Sequence, residues 1–191
     1  MNGKESVIAE GVNSNDLAVT AKGEIYFTEP PTKKVWYIDA GGAKRVVHEG
    51  MAFPNGIQLT PDQAFLNVVD MQARWVWSFQ IQPDGSLSNG APFHRLEAAD
   101  NKTAAVGDGM TMDTDAHLYV ATDIGIQVLD APGRVVGIIS KPQLGILTNV
   151  AFGGPDMKTL YATAGDKVFK RPAKRQGVTP WTVTKPARPG L

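Results

Sequence analysis

Four segments of one design recur along the chain, and this repeat constrains the fold more than any other feature of the sequence. Their starts are separated by roughly 40, 53 and 41 residues, close to the ~40–50 residues of one four-stranded propeller blade. Each segment opens with Asn or Asp and continues as a short β-rich run: residues 15–20 (NDLAVT), 55–60 (NGIQLT), 108–113 (DGMTMD) and 149–154 (NVAFGG). The repeat predicts an all-β chain of about four four-stranded propeller blades.

The segments between these openings supply the remaining strands of each blade. Runs rich in β-branched and aromatic residues, such as 25–28 (IYFT) and 118–121 (LYVA), alternate with turns that contain Gly, Pro or Asp. No sustained 3.6-residue apolar period occurs, so almost no helix is expected. The predicted blades span 13–50, 51–100, 106–141 and 146–185, and the last blade is predicted to close with a strand at 181–184.

The beginning of the chain indicates that the ring of blades is incomplete. Residues 5–10 (ESVIAE) are predicted to be the outer edge strand of a blade whose other strands are missing. Four units of this size also make a poor ring, so we expect the chain to be the C-terminal portion of a larger propeller. A closed four-bladed ring is the alternative. The polar, Ala-rich residues 97–105 are expected to form a surface loop near the cavity mouth.

The overall composition excludes several classes of function. The 191 residues carry a formal net charge of zero, which gives no electrostatic case for binding nucleic acid or an anionic membrane surface. No run approaches the roughly 18 apolar residues of a membrane span, and the first residues lack the apolar core of a signal peptide. A cytoplasmic protein is therefore predicted, although an exported parent with its leader removed would look the same. Because the chain has no cysteine, a metal site must use oxygen or imidazole ligands.

The polar residues that open the four repeats are the candidate site. The innermost strand of a propeller blade lines the axial channel, and a polar side chain at its start is not needed for packing. Asn55 and Asp108, each followed by a glycine, are predicted to hold a divalent cation; their oxygens suit Ca²⁺, Mg²⁺ or Mn²⁺ and tolerate Zn²⁺. Asn15, Asp16 and Asn149 are predicted to bind substrate. The alternative for each residue is an Asx turn that only satisfies nearby backbone N–H groups.

Residues outside the openings offer no competing chemistry. The three histidines, His48, His94 and His117, are expected to be surface or core residues rather than metal ligands. The sequence contains no Gly-x-Ser-x-Gly nucleophile elbow, no phosphate-binding P-loop and no Rossmann fingerprint. A covalent serine mechanism and nucleotide chemistry are therefore unsupported.

Four motifs, in this order, resemble the SMP-30/gluconolactonase/luciferin-regenerating-like family. They are 13–17 (NSNDL), 53–57 (FPNGI) with 60–62 (TPD), 108–113 (DGMTMD) and 148–154 (TNVAFGG). The resemblance implies a propeller of the six-bladed type that hydrolyses a sugar or related lactone with one divalent metal on its axis, with Ca²⁺ favoured. By motif match, Asn55 and Asp108 correspond to metal ligands and Asn15 to a residue at the substrate and the metal-bound water. Asp108, or a neighbour, also corresponds to the family's general base.

The chain departs from the family pattern in one respect. The family's first metal ligand is a Glu on an early strand of the first blade, and neither Glu5 nor Glu10 stands in that context. About two blades are expected to be absent, so the ring here is incomplete and this chain alone is expected to lack part of the site. Exposed edge strands favour a homodimer or pairing with a missing N-terminal part. The alternative function is a non-catalytic propeller module that binds a protein partner.

Overall fold

The protein folds as four β-sheets that form the blades of a propeller, which confirms the predicted fold class. The structure is a computed structural model that describes residues 3, 5–179 and 181–185. The described residues form the following strands: β1 (Leu17–Val19), β2 (Ile25–Glu29), β3 (Lys34–Ile38), β4 (Lys44–Glu49), β5 (Pro54–Leu59), β6 (Phe65–Asp70), β7 (Trp75–Ile81), β8 (Leu87–Arg95), β9 (Met110–Met112), β10 (Leu118–Thr122), β11 (Gly125–Leu129), β12 (Val135–Ile139), β13 (Leu147–Gly153), β14 (Thr159–Ala164) and β15 (Lys167–Pro172). One short 3-10 helix, Pro30–Thr32, is the only helix in this described part. Among the described residues, no helix is long and apolar enough to cross a membrane.

Each blade is an up-and-down antiparallel sheet whose strands follow one another in chain order. Blade 1 consists of β1–β4, blade 2 of β5–β8, blade 3 of β9–β12 and blade 4 of β13–β15. The first strand of each blade contacts the first strand of the next, in the order β1, β5, β9, β13. These four strands are therefore the innermost ones, and they run in the same direction along the axis.

The core lies between the blades. Apolar side chains on facing sheets form three clusters, between blades 1 and 2, blades 2 and 3, and blades 3 and 4. Tyr119 of blade 3 and Phe152 of blade 4, for example, meet edge to face with ring centroids 5.0 Å apart. The two end faces of the series lack such a neighbour among the described residues: Leu17 in blade 1 is 55% exposed, and Ala151 in blade 4 is exposed.

Two predicted strands are not formed. Blade 4 has three strands, and residues 181–185 adopt no strand conformation, so the predicted closing strand at 181–184 is wrong. The physical reason is that the chain leaves the sheet after β15 instead of turning back along it. Residues 5–10 also form no strand in the structure, because a single strand has no neighbour to complete its backbone hydrogen bonds.

After β15 the chain passes across blades 4, 3 and 2 and bonds to each of them, at the end of the propeller opposite the starts of the inner strands. Its backbone N–H groups donate to carbonyls at or after the first strand of blades 4, 3 and 2: Gly177 to Met157 at 2.9 Å, Val178 to Met112 at 3.1 Å and Thr184 to Pro61 at 2.7 Å. We call residues 173–179 and 181–184 the crossing segment. It closes the far end of the inner strands and leaves the opposite rim accessible.

Candidate metal and active site

The predicted site residues lie at the start of the inner strands, on one rim of the propeller. Asp16 immediately precedes β1, Asn55 is the second residue of β5, Asp108 lies two residues before β9, and Asn149 is the third residue of β13. Because these strands run in the same direction, their starts converge at the axis. The repeat in the sequence thus becomes one group of side chains in space.

Asp70 determines how the chain enters the rim of blade 2. Its two carboxylate oxygens accept the N–H groups of Ala52 at 2.9 Å and Phe53 at 3.0 Å. Pro54 follows with a fixed φ angle, so the entry into β5 is rigid. As a result the Asn55 side chain is held in the interior, where the residue is 3% exposed.

Two glycines allow neighbouring inner strands to approach each other closely at this rim. A Cβ atom at Gly56 would lie 2.2 Å from the backbone carbonyl oxygen of Asp108, and one at Gly109 would lie 2.2 Å from Oδ1 of Asn149. At Gly56 the obstructing atom belongs to the backbone, so a larger residue would force the strands apart, whereas at Gly109 it is the end of a side chain. The glycines therefore bring blade 2 against Asp108, and blade 3 against Asn149.

The amide of Asn55 has one polar atom without a partner. Its Nδ2 donates to Sδ of Met71 at 3.3 Å, and the amide also donates to the Asp108 carboxylate. Its Oδ1 is buried and accepts no hydrogen bond from any described residue. A buried acceptor without a partner costs ~1–3 kcal/mol. An Asx turn would use this oxygen to accept a nearby backbone N–H, so the structure differs from that alternative at Asn55.

The carboxyl group of Asp108 is costly to ionise. Burial, and then the negative charge of Asp16, raise the pKa of Asp108 from 3.8 to about 6. Hydrogen bonds from the Gly109 N–H and the Asn55 amide oppose this rise. A cation close to the two carboxyl groups would favour their charged forms, so the electrostatics of the rim suit a positively charged ligand.

The three predicted substrate residues differ in their surroundings. Asp16 reaches across to blade 2, where its Oδ2 accepts the N–H of Ile57 at 3.1 Å, and burial raises the pKa of Asp16. Oδ1 of Asn149 accepts the N–H of Val150 at 2.8 Å, which is the local contact of a turn-forming residue. Asn15 is exposed, and its backbone N–H bonds to β2. The structure groups Asp16, Asp108 and Asn149 with Asn55 and places Asn15 at the exposed edge.

A cavity of about 250 Å³ opens beside Asp108 and is lined by the loops of the rim. Lys102, from the loop predicted to lie near the cavity mouth, pairs with Asp123 at 2.7 Å. Lys141 and Met71 contribute to the same wall. The second carboxylate oxygen of Asp123 is buried and has no hydrogen-bond partner in the described structure. The cavity thus offers several polar groups next to the carboxyl of Asp108.

Sequence reasoning missed these cavity residues. Met71, Lys102, Asp123 and Lys141 lie in loops between strands, outside the four repeated openings. These residues share no sequence motif. What they have in common is that each lies in a loop that joins two strands at the same rim. That signal becomes visible only after the strands have been assigned to blades.

A second group of potential ligands lies at the other end of β9. Ligand atoms of Asp113, Asp115 and His117 lie within 4.8 Å of one another, and such a group could hold a metal ion. However, Asp113 already accepts the backbone N–H groups of Asp115 at 3.0 Å and His117 at 2.9 Å. The Arg175 guanidinium also lies 2.5 Å from Asp115 and 3.7 Å from Asp113. We interpret this group as the attachment of the β9–β10 turn to the crossing segment.

Comparison with known proteins identifies the family of the chain. Residues 4–166 match the family model described as the SMP-30/Gluconolactonase/LRE-like region. The chain belongs to this SMP-30/gluconolactonase/LRE-like family. The resemblance inferred from the four motifs is thereby confirmed.

The chain is similar in sequence to curated lactonases and in fold to a solved calcium-binding protein. It is 27% identical over 187 residues to a gluconolactonase of Zymomonas mobilis, covering 85% of this chain and 51% of that protein. It is 30% identical over 156 residues to the pentonolactonase XacC of Haloferax volcanii, covering 78% and 52%. The calcium-binding protein regucalcin of Agrobacterium tumefaciens shares the fold, with a TM-score of 0.71 at 17% identity over 91% of this chain and 63% of that one. The chain spans about half the length of the curated relatives it matches.

Proposed function

We propose that this chain carries the metal site of a divalent-metal-dependent lactone hydrolase. The reaction converts a sugar lactone or a related cyclic ester to the hydroxy acid. The observation that carries the proposal is the Asn55 amide, which donates a hydrogen bond to the carboxyl of Asp108 and whose buried Oδ1 has no partner among the described residues. Relatives named gluconolactonase and pentonolactonase support the class of reaction.

The residues at the axis fit one hard divalent cation. An amide oxygen from Asn55 and a carboxylate oxygen from Asp108 are ligands that such an ion prefers. A half-turn of the Asn55 amide would exchange its oxygen and nitrogen. It would give up the weak contact to the Met71 sulfur and the hydrogen bond to Asp108, and a cation held by both side chains would replace the latter. When bound, a divalent cation polarises the lactone carbonyl and lowers the pKa of a water molecule. The oxygen ligands and the calcium-binding regucalcin favour Ca²⁺, with Mg²⁺, Mn²⁺ and Zn²⁺ as alternatives.

Asp108 is the general base in this proposal. Its carboxylate accepts a proton from the attacking water while the water oxygen bonds to the lactone carbonyl carbon. The bond between that carbon and the ring oxygen then breaks, and the proton passes to the ring oxygen to give the hydroxy acid. Burial and the charge of Asp16 raise the pKa of Asp108 to about 6 in the metal-free site. A bound cation would oppose this rise, so Asp108 is largely ionised at neutral pH in either state.

Asn15, Asp16 and Asn149 are proposed to bind the lactone at the rim. The two amides can donate to the carbonyl or hydroxyl oxygens of a sugar lactone, and Asp16 can accept a hydrogen bond from a hydroxyl. The cavity of about 250 Å³ beside Asp108 suits a molecule of monosaccharide size. Lys102 and Lys141 on its wall can donate hydrogen bonds to the remaining hydroxyls.

Two measurements with one variant test the proposal. Lactone hydrolysis is followed as acid release with an added divalent cation, and the melting temperature is recorded with and without that cation. A cation at about a hundred times its Kd stabilises the folded state by ~2.7 kcal/mol, which raises the melting temperature by roughly 5–10 °C. We expect Asp108→Ala to lose both the activity and this rise. Asp100→Ala, at an exposed Asp in the loop before it, is the matched control and should keep both.

Each outcome has a defined meaning. Full activity in Asp108→Ala would refute the assignment of Asp108 as the base. An unchanged melting temperature of the original chain at millimolar metal would contradict the metal site and would favour a non-catalytic binding module. A rise in melting temperature without hydrolysis would keep the metal site on this chain and assign missing catalytic groups to another part of the ring.

A further inference from the structure

Blade 4 has an unpaired outer strand, which distinguishes it from the other three blades. Blades 1–3 each have four strands, whereas the outer strand of blade 4, β15, pairs only with β14 among the described residues. The side chains of Lys167, Val168, Lys170 and Arg171 on β15 are exposed. An outer strand of this kind presents unpaired N–H and C=O groups to any extended segment that reaches it.

Blade 4 lacks a fourth strand, and the segment 5–10 lacks a sheet to join. It has the composition of a strand, but it forms no sheet in the structure. Val7 is 75% exposed and Ile8 is 62% exposed. Its last residue is held beside blade 1 by an exposed hydrogen bond from Lys44 Nζ to the Glu10 carbonyl oxygen at 2.8 Å. Two adjacent apolar side chains thus remain in water next to a backbone that pairs with no strand among the described residues.

The internal repeat shows how such a segment pairs with a third strand. The end of the fourth strand of blade 1 and the residue after it, 46–50, read VVHEG. The end of the segment before blade 1, residues 7–11, reads VIAEG and is similar. The third strand of blade 1 begins with the residues KVW at 34–36, and β15 begins with the similar residues KVF at 167–169. In blade 1, Lys34 lies opposite Glu49, with an ion pair of 3.7 Å, and Trp36 lies opposite Val46. The same register on β15 would place Glu10 opposite Lys167 and Val7 opposite Phe169.

The surface beside β15 is shaped for the apolar side chain in this register. A groove of about 200 Å³ runs between the outer strands of blades 3 and 4. It is lined by Ile126, Ile139, Leu160, Ala162 and Phe169, which belong to the core between these two blades. Since Phe169 lines the groove, a residue directly opposite it on a fourth strand would extend into the same groove. Val7 is that residue, and its burial would remove apolar surface from water.

We propose that β15 binds residues 5–10 of a second copy of this chain as the fourth strand of blade 4. Reciprocal exchange between two copies pairs both free edges and gives a two-fold dimer. The contact combines backbone hydrogen bonds along β15, insertion of Val7 into the groove, and an ion pair between Glu10 and Lys167 of different copies.

The mass of the full chain in solution tests this proposal and does not depend on catalytic activity. Size-exclusion chromatography with light scattering should give twice the 20.5 kDa chain mass at high protein concentration. Val7→Asp should reduce the mass to that of one chain, because a carboxylate would enter an apolar groove. Val136→Asp, which changes another exposed valine, on β12, is the matched control and should leave the dimer intact.

A charge exchange tests the register directly. Glu10→Lys and Lys167→Glu should each weaken the dimer about tenfold by placing like charges opposite each other, and the double variant should restore it. Lys158→Glu, at an exposed lysine on the β13–β14 turn, should have no effect. A single-chain mass at every concentration, a dimer that survives Val7→Asp, or a double variant as weak as the single ones would each overturn the proposal.

Discussion

Among the described residues, buried polar atoms without partners occur at the rim and between blades 2 and 3, and these two places differ in what surrounds them. At the rim, the Asn55 amide lies next to the carboxyl of Asp108, which lines an open cavity, so a cation that enters there can supply the contact missing at Asn55 Oδ1. Between blades 2 and 3, both side-chain polar atoms of Asn67 and Nδ1 of His94 are buried without partners in the described structure. Asn67 and His94 line a cavity of about 280 Å³, and none of the other residues that line it carries a carboxylate or a cationic side chain. There the expected consequence is a cost in stability rather than a binding function.

The cost at His94 should appear as a loss of stability in acid. Burial lowers the pKa of His94 from 6.5 to about 4, with only partial opposition from Asp130. Between these pH values the unfolded chain binds a proton at this imidazole and the folded chain does not, so acid favours unfolding. The effect amounts to about 3 kcal/mol between pH 7 and pH 4.

Denaturant unfolding at the two pH values measures this effect. We expect His94→Gln to lose about 3 kcal/mol less than the original chain between pH 7 and pH 4, whatever its stability at pH 7. The comparison of the two differences cancels the carboxylates that also titrate in this range. Equal losses in both proteins would show that His94 is protonated in the folded state at an ordinary pKa.

At the scale of the strands, the site depends on how closely the inner strands approach one another. Gly56 in β5 meets the backbone of Asp108 just before β9, whereas Gly109, also before β9, meets the end of the Asn149 side chain in β13. A side chain can move aside, but a backbone carbonyl held in a sheet cannot. The contact at Gly56 is therefore the one that sets the distance between the two proposed metal ligands.

Gly56→Ala should separate these strands. Its Cβ would lie 2.2 Å from the Asp108 carbonyl oxygen, so we expect a loss of about 1–3 kcal/mol in unfolding free energy and a weaker metal-induced rise in melting temperature. Gly137→Ala, in β12 with no atom within 4 Å of its Cβ, should be neutral or slightly stabilising. Thermal melts of both variants with and without metal decide the matter, and an unaltered metal response in Gly56→Ala would contradict this role of the glycine.

For the whole molecule, the blades are held together by two independent means. Three separate core clusters join neighbouring blades in pairs. The crossing segment adds backbone hydrogen bonds to blades 4, 3 and 2 at the far end. Because the clusters are separate, blade 4 can open while blades 1 and 2 stay packed, and the crossing segment opposes that opening.

Gly177→Ala should release the crossing segment. Its Cβ would lie 2.1 Å from Cβ of Phe152, an atom fixed in β13, so we expect a loss of about 1–3 kcal/mol in stability. Hydrogen exchange should accelerate at Thr114, Gly177 and Val178, whose N–H groups bond within this contact, while β1–β4 keep their protection. Gln176→Ala, at an exposed neighbouring position, is the control. Uniformly faster exchange in all four blades would instead indicate one cooperative unit.

The sequence by itself determined the all-β class, the positions of nearly all strands and the four polar openings, because strand periodicity, turn residues and repeats are local patterns. The prediction from sequence failed at residues 181–184. Their composition is typical of a strand, but the chain has already left the sheet of blade 4 before it reaches them. Only the tertiary structure decided that Asp16 lies near Asp108, that the Asn55 oxygen is buried without a partner, and that Met71, Asp123 and two lysines share one cavity. These facts depend on how closely the blades pack around the axis, and no local pattern in the chain encodes that distance.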